Sequence, residues 1–212
     1  MTHPDTIRCM QIIDVKKVVA IHLSAFQGFF LTFLGLHFLI EFYTATLTDP
    51  TGIGFVCVQD KMLQGFVVGS SQPSGLYHRL LTQRWWRFGL AIIKPIFKNP
   101  LIIPRLLRVF RKPQDTPLLP ESGTLMSIAV LPSMQGRGIG QSLAQAFLRE
   151  SSTRGLKYVS LTTDFFNNES VNHFYTNMGF RCVRTFITPE GRKMNEYLID
   201  LTHTSSAEMP TV

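Results

Sequence analysis

The stretch Ser127-Ile-Ala-Val-Leu-Pro-Ser-Met-Gln-Gly-Arg-Gly-Ile-Gly140 constrains this chain more than any other. An apolar, β-branched run meets Pro132. Glycines then alternate at 136, 138 and 140. Beyond them Ile139, Leu143, Ala146 and Phe147 recur at i, i+4, i+7 and i+8, the face of an amphipathic helix. The pattern predicts a strand over Thr124–Val130, a turn over Pro132–Gly136 and a helix over Gly138–Arg154, stopped by Gly155. A glycine-rich turn at a helix start is an anion site. Its N–H groups have no partner within the helix, the helix dipole favours negative charge, and the absent Cβ atoms let a phosphate approach the backbone. Arg137 adds a positive charge. The P-loop reading fails, because no Gly-Lys-Ser/Thr follows, and the third glycine of the dinucleotide motif is absent.

Around this segment the sequence predicts a strand at Ile7–Ile12 and a helix over Val15–Phe26 with Asp14 as N-cap. A second helix is expected over Gly35–Leu47, ending before the turn Asp49-Pro50-Thr51-Gly52. Gly54–Val58 and Leu63–Gly69 read as a hairpin turned at Asp60-Lys61. Tyr77–Phe97 and Leu101–Phe110 look helical, broken at Pro95 and Pro100, and Lys112–Pro120 reads as a loop. Downstream come a strand Tyr158–Thr163, a helix Glu169–Met178 ended by Gly179, and a hairpin of Phe180–Thr188 with Arg192–Leu201. The order gives an α/β fold, a mixed sheet with helices on its faces. One domain is expected over 1–202, with a basic helical insert at about 75–120 and a flexible tail at 203–212.

At 212 residues the chain has room for one full core, and 45% apolar against 17% charged residues excludes general disorder. Cys9, Cys57 and Cys182 are an odd number with no zinc-ligand spacing, so no metal site and no disulfide framework is expected. Met1–Arg8 is polar, which speaks against a secretory signal. Val18–Ile40 carries no charged residue, yet His22, Gln27, Gly28, Gly35 and His37 favour two helices broken at the glycines over a membrane span. The net charge of +7 is concentrated: Gly75–Gln114 holds nine of the 21 basic residues and none of the 14 acids.

A second motif, Asn168-Glu-Ser-Val-Asn-His-Phe174-Tyr175-Thr-Asn-Met-Gly179-Phe180, follows the first by one helix and one strand. Together, Gln135-x-x-Gly138-x-Gly140 after Ile128-Ala129-Val130, and Asn168 with Tyr175 seven residues on and then Gly-Phe, resemble the two signature segments of the Gcn5-related N-acetyltransferase (GNAT) superfamily. The resemblance implies a β-α-α-β-β-[helical insert]-β-α-β-α-β-β acyl-CoA N-acyltransferase fold. It implies acetyl-CoA as co-substrate and an amine as acceptor. Backbone groups of Ile128, Ala129 and Val130 would pair with the pantetheine arm, where their strand splays from Tyr158–Thr163. The turn of Gln135, Gly136, Arg137, Gly138, Ile139, Gly140 and Gln141 would hold the pyrophosphate. Asn168 and Phe174 would touch the cofactor, and Tyr175 would protonate the leaving thiolate.

The chemistry needs no covalent intermediate. It needs a neutral amine, a donor for the developing oxyanion and a proton for the expelled thiolate. The base is not legible in the sequence; Ser127, Thr163, Asp164, Glu41, His22 and His37 are the candidates. The insert, with Trp85-Trp86-Arg87-Phe88, has three competing uses: a lid or wall of the acceptor site, a peripheral contact with an anionic membrane surface, or a contact with a phosphorylated acceptor. The apolar runs Leu90–Ile93 and Leu101–Pro104 argue against nucleic acid. Ala25–Gly35 also resembles acetyltransferase-like proteins of bacterial surface-polysaccharide pathways, which implies a small-molecule amine such as an amino sugar or nucleotide-linked amino sugar. It also implies a bacterial cytoplasmic enzyme, with association at the inner membrane surface compatible with it. A protein Lys or N-terminal acceptor, and a non-catalytic acyl-CoA-binding module, are the alternatives. Monomer and homodimer are both compatible with the sequence.

Overall fold

The computed structural model describes residues 6–26, 30–98 and 119–202. In chain order these form β1 (Thr6–Cys9), α1 (Val15–Ala25), α2 (Phe30–Phe33), α3 (Gly35–Thr48), β2 (Gly52–Gln59), β3 (Met62–Ser70), α4 (Leu76–Lys98) and β4 (Ser122–Val130). After them come α5 (Ile139–Thr153), β5 (Tyr158–Asp164), α6 (Glu169–Asn177), β6 (Arg181–Ile187) and β7 (Lys193–Asp200). The strands build one seven-stranded sheet in the order β1-β2-β3-β4-β5-β7-β6. Every pairing is antiparallel except β4 with β5. That parallel pair needs a crossover, which α5 supplies.

Side chains alternate across the pleat and so divide the core in two. Val56, Phe66, Val68 and Ala129 face one side and pack under α1, α3 and α4 through Val18, Val19, Leu39, Phe42 and Tyr43. Ile53, Cys57, Val67 and Leu125 face the other and pack under α5 and α6 through Leu143, Phe147 and Tyr175. Each such fully buried large side chain contributes about 1.5–3 kcal/mol from apolar burial. The β2–β3 hairpin turns at Asp60 and Lys61, both at positive φ (49° and 63°), the backbone of a tight two-residue turn.

β4 is not regular. Val68 pairs with Ser127 and Gly69 with Leu125, so Met126 is an extra residue bulged out of the ladder. Gly69 sits opposite this bulge, and a Cβ there would stand 2.2 Å from the Thr124 carbonyl oxygen and 2.6 Å from the Phe147 ring. Any side chain would have to push α5 off the sheet.

Several sequence expectations need correction. The first strand stops at Cys9, and Ile12–Asp14 is a 3-10 turn. Asp14 does not cap α1; it has helical φ/ψ, reaches back to the Gln11 N–H at 2.8 Å and holds Arg8 through two bonds of 2.7 and 2.8 Å. α4 does not break at Pro95, which lies inside it. The discontinuity is at Arg84 (φ −137°, ψ 28°), where two helical segments meet. Proline removes one intrahelical bond and bends the chain, and near a helix end that falls short of stopping it. The expected break at Gly28, the helix Leu101–Phe110, the break at Pro100, most of the loop Lys112–Pro120 and the 203–212 tail lie outside the described residues.

Candidate active site

The site begins where β4 and β5 part. Their parallel ladder holds only at Ser122 with Tyr158, Gly123 with Val159 and Thr124 with Ser160. β4 runs on to Val130 and β5 to Asp164 without pairing to each other. The Leu131 N–H donates to the Gln64 carbonyl of β3 at 2.8 Å. Backbone groups alternate sides along a strand, so those of Ala129 also point to β3, while those of Ile128 and Val130 point into the gap. They form an unpaired edge at the carboxyl ends of two parallel strands, the place where α/β sheets bind ligands.

Past Val130, a 3-10 turn at Pro132–Met134 leads into Gln135 and the glycine segment. Gly136 (φ 78°) and Gly138 (φ 80°) are both left-handed, a conformation that penalises any side chain. A Cβ on either would meet nothing within 4 Å; conformation demands these glycines, and the space beside them is open. The first backbone bond of α5 runs from Ser142 N–H to the Gly138 carbonyl at 3.0 Å. Among the described residues no hydrogen bond satisfies the N–H groups of residues 136–141. Six consecutive donors at a helix N-terminus form a nest for an anion. Arg137 beside them is exposed.

A cleft of about 370 Å³ connects this nest to the strand gap. Val130, Met134, Gln135, Gly136, Gly138, Ile139, Gly140, Gln141, Phe174, Asn177 and Met178 line it. Seven of the sequence-expected residues on β4 and the turn therefore meet here, joined by Phe174 from α6. Ile128, Ala129, Arg137 and Asn168 do not line the cleft. Asn168 is half-buried and donates to the Asp164 carbonyl at 3.2 Å, bracing the loop after β5. Sequence reasoning missed Met134, Asn177 and Met178. The last two follow Phe174 at i+3 and i+4, so helical spacing from Phe174 could have found them.

Tyr175 follows Phe174 but points into the core. It is buried, with ring contacts to Phe174 (5.1 Å), Phe180 (5.6 Å) and Tyr197 (6.1 Å). Burial pushes its phenol above the usual tyrosine range, so it is protonated at neutral pH.

The candidate bases fare unequally. Asp164 is clamped by Arg192 at 2.6 and 2.7 Å. Glu41 faces Arg84 at 3.4 Å and Arg87 at 3.7 Å. Thr163 donates to Asn172 at 2.7 Å. His37 is exposed beside Glu41, in a groove between α3 and α4. His22 is buried, and desolvation lowers its pKa to about 4. Its Nδ1 lies 2.7 Å from the Tyr43 hydroxyl, and Ser127 adjoins that hydroxyl. Among the described residues the His22 Nε2 has no partner. This His22–Tyr43–Ser127 chain joins three elements far apart in sequence and had no sequence signal. It reaches β4 from the face opposite α5.

Comparisons with known proteins agree with this geometry. Residues 107–180 match the family described as Acetyltransferase (GNAT) family. The ribosomal-protein-S18-alanine N-acetyltransferase from Escherichia coli shares the fold over 99% of each chain, at 15% identity and a TM-score of 0.58. A spermidine N-acetyltransferase chimera from Vibrio cholerae and hSSAT matches over 96% of this chain and 99% of its own, at 16% identity and a TM-score of 0.62. An N-acetyltransferase from Staphylococcus aureus Mu50 matches over 94% and 99%, at 16% identity and a TM-score of 0.61. No curated protein sequence matches the chain.

Proposed function

We propose that this chain, which has the GNAT fold and belongs to the GNAT acetyltransferases through residues 107–180, transfers the acetyl group of acetyl-CoA to a primary amine of a small molecule. The observation that carries the cofactor half of this reading is the joined pair of vacant backbone surfaces. One is the six-donor nest at residues 136–141, which suits a pyrophosphate. The other is the unpaired edge at Ile128 and Val130, which suits the amide groups of a pantetheine arm. An apolar cleft connects them.

The roles follow from chemistry. The N–H groups of the nest and Arg137 bind phosphate charge. Backbone donors at the β4 gap orient the thioester and stabilise the oxyanion that forms when the amine attacks its carbonyl. Tyr175 gives its proton to the departing sulfur. The apolar surroundings keep its phenol protonated until the thiolate forms, and the phenolate left behind is neutralised by the proton that the attacking nitrogen sheds. Asn168 holds the end of β5 in place. The amine approaches from the α1–α3 face of β4, where Ser127 stands, and its proton leaves through Ser127 or water.

The acceptor is proposed to be a small polar amine, an amino sugar or its nucleotide conjugate, and the compartment the cytoplasm, which supplies acetyl-CoA. A protein acceptor is the second reading, because the Escherichia coli structural neighbour is named for one. Release of CoA thiol from acetyl-CoA is to be measured with three pools: amino sugars and their nucleotide conjugates, Lys-containing peptides, and polyamines. Turnover with the first alone supports the proposal. Turnover with peptides alone transfers it to a protein acceptor. Silence with all three, in protein that binds acetyl-CoA, removes the catalytic reading in favour of a binding module.

A further inference from the structure

We propose that the outward face of α4 docks on the surface of an anionic lipid bilayer. α4 lies on α3 by its inner face: Leu80 and Phe88 are buried, and the Phe88 ring sits tilted against Phe38 at 5.3 Å. A second face, bordering the groove toward α3, carries Trp86, Leu90, Ile93 and Phe97 at i, i+4, i+7 and i+11, a continuous helical stripe. A core-facing stripe would be hidden, yet these residues are 51%, 63%, 45% and 86% exposed, and the neighbouring Trp85 is 72% exposed. An open groove of about 560 Å³ between α3 and α4 extends the apolar surface, with Ile40, Trp86, Leu90 and Ile93 in its walls.

Charge selects the occupant. The span from Gly75 to Gln114 contains nine Lys or Arg and no acid. Glu41 lies at the groove but is answered by both Arg84 and Arg87. α4 itself carries five Lys or Arg and no acid, against which, among the described residues, only Asp49 and Glu41 are set. Exposed aromatic and aliphatic side chains on a helix with this surplus of positive charge suit the headgroup boundary of an anionic bilayer, where Trp rings also settle favourably. A second copy of this basic face would repel the first. No helix among the described residues is long and apolar enough to cross a membrane, so the contact is peripheral. The inference is independent of the acyl-transfer reading.

The chain provides its own probe. Its two tryptophans, Trp85 and Trp86, both lie in this helix, so native tryptophan emission reports on the stripe alone. The full-length protein should shift to the blue and co-sediment with phosphatidylglycerol-containing vesicles. Binding should be about 10-fold weaker on pure phosphatidylcholine and should fall as salt rises. The Leu90→Glu/Phe97→Glu variant should lose vesicle binding by at least about 10-fold while keeping the wild-type affinity for acetyl-CoA, which certifies its fold. Failure to sediment with anionic vesicles overturns the proposal. So does undiminished sedimentation of the variant. A wild-type dimer in solution that the variant splits, without vesicle binding, overturns it in favour of self-association.

Discussion

The two faces of β4 are built on different plans. On the α5 side the site is made of backbone: two left-handed glycines and, among the described residues, six unbonded N–H groups and a strand edge with no partner. On the α3–α4 side it is made of side chains that answer one another. Asp49 holds Arg79, Glu41 holds Arg84 and Arg87, and Tyr43 joins His22 to Ser127. The backbone donors depend on left-handed glycines at 136 and 138, positions that few other residues can fill. Saturated side-chain networks await nothing in general and can vary with the acceptor.

The largest effect should come from filling a backbone vacancy. Gly138→Trp puts an indole into open space at a left-handed position. Acetyl-CoA at 100 times its Kd should stabilise the wild type by about 2.7 kcal/mol against urea, and the folded variant by nothing measurable. Equal stabilisation of both would show that the nest is not the cofactor site. Next in size, Tyr175→Phe should lower kcat about 10²–10⁴-fold, the usual worth of a proton donor, with acetyl-CoA affinity retained. An unchanged kcat would return Tyr175 to the packing role that its three aromatic neighbours already give it.

This contrast also explains what could be read in the sequence. Glycine spacing encodes backbone conformation directly, so Gly136, Gly138 and Gly140 announced the nest, and the strand before them announced the edge. Strand and helix order followed from periodicity. Side-chain networks between distant elements leave no such trace: nothing at Tyr43 marks it as the bridge between His22 and Ser127. Asp14 looked like a helix cap because its type fits one, but Arg8 and the Gln11 N–H claimed its carboxylate. The kink at Arg84 has no proline or glycine to signal it, and it falls where that side chain turns to Glu41. The pantetheine and acid roles rest on the resemblance of the two motifs and go beyond what either face states by itself.

A smaller effect tests the saturated side. Asp49 is buried. Burial alone would raise its pKa, but hydrogen bonds from Thr51 and Arg79 together outweigh this and hold the carboxyl below its ordinary value. A depressed carboxylate contributes stability that is complete above the unfolded value, near 4, and is lost as pH falls through the folded one. Asp49→Asn should therefore cost about 1–3 kcal/mol at pH 7, measured by urea unfolding. The gap from wild type should narrow at pH 3, and acetyl-CoA affinity should not change. A gap of equal size at both pH values would mean that the carboxylate charge is not what holds Arg79.

The smallest expected effect divides the two plans most sharply. Glu41 is the one carboxylate on the helices walling the acceptor side that sequence reasoning could offer as a base. A base must be free to reach the amine, whereas Glu41 is engaged by the guanidinium groups of Arg84 and Arg87. As a counter-ion it secures α4 to α3 and contributes no proton transfer. Glu41→Gln should then change kcat by less than about 3-fold and leave the pH profile of kcat/KM in place, against the roughly 10²–10⁴-fold loss that removal of a general base brings. A loss of that size, with the acid limb of the profile displaced, would show that the amine's proton leaves through Glu41. The side-chain network there would then be catalytic machinery, and the division between a backbone-built site and a self-satisfied wall would fall.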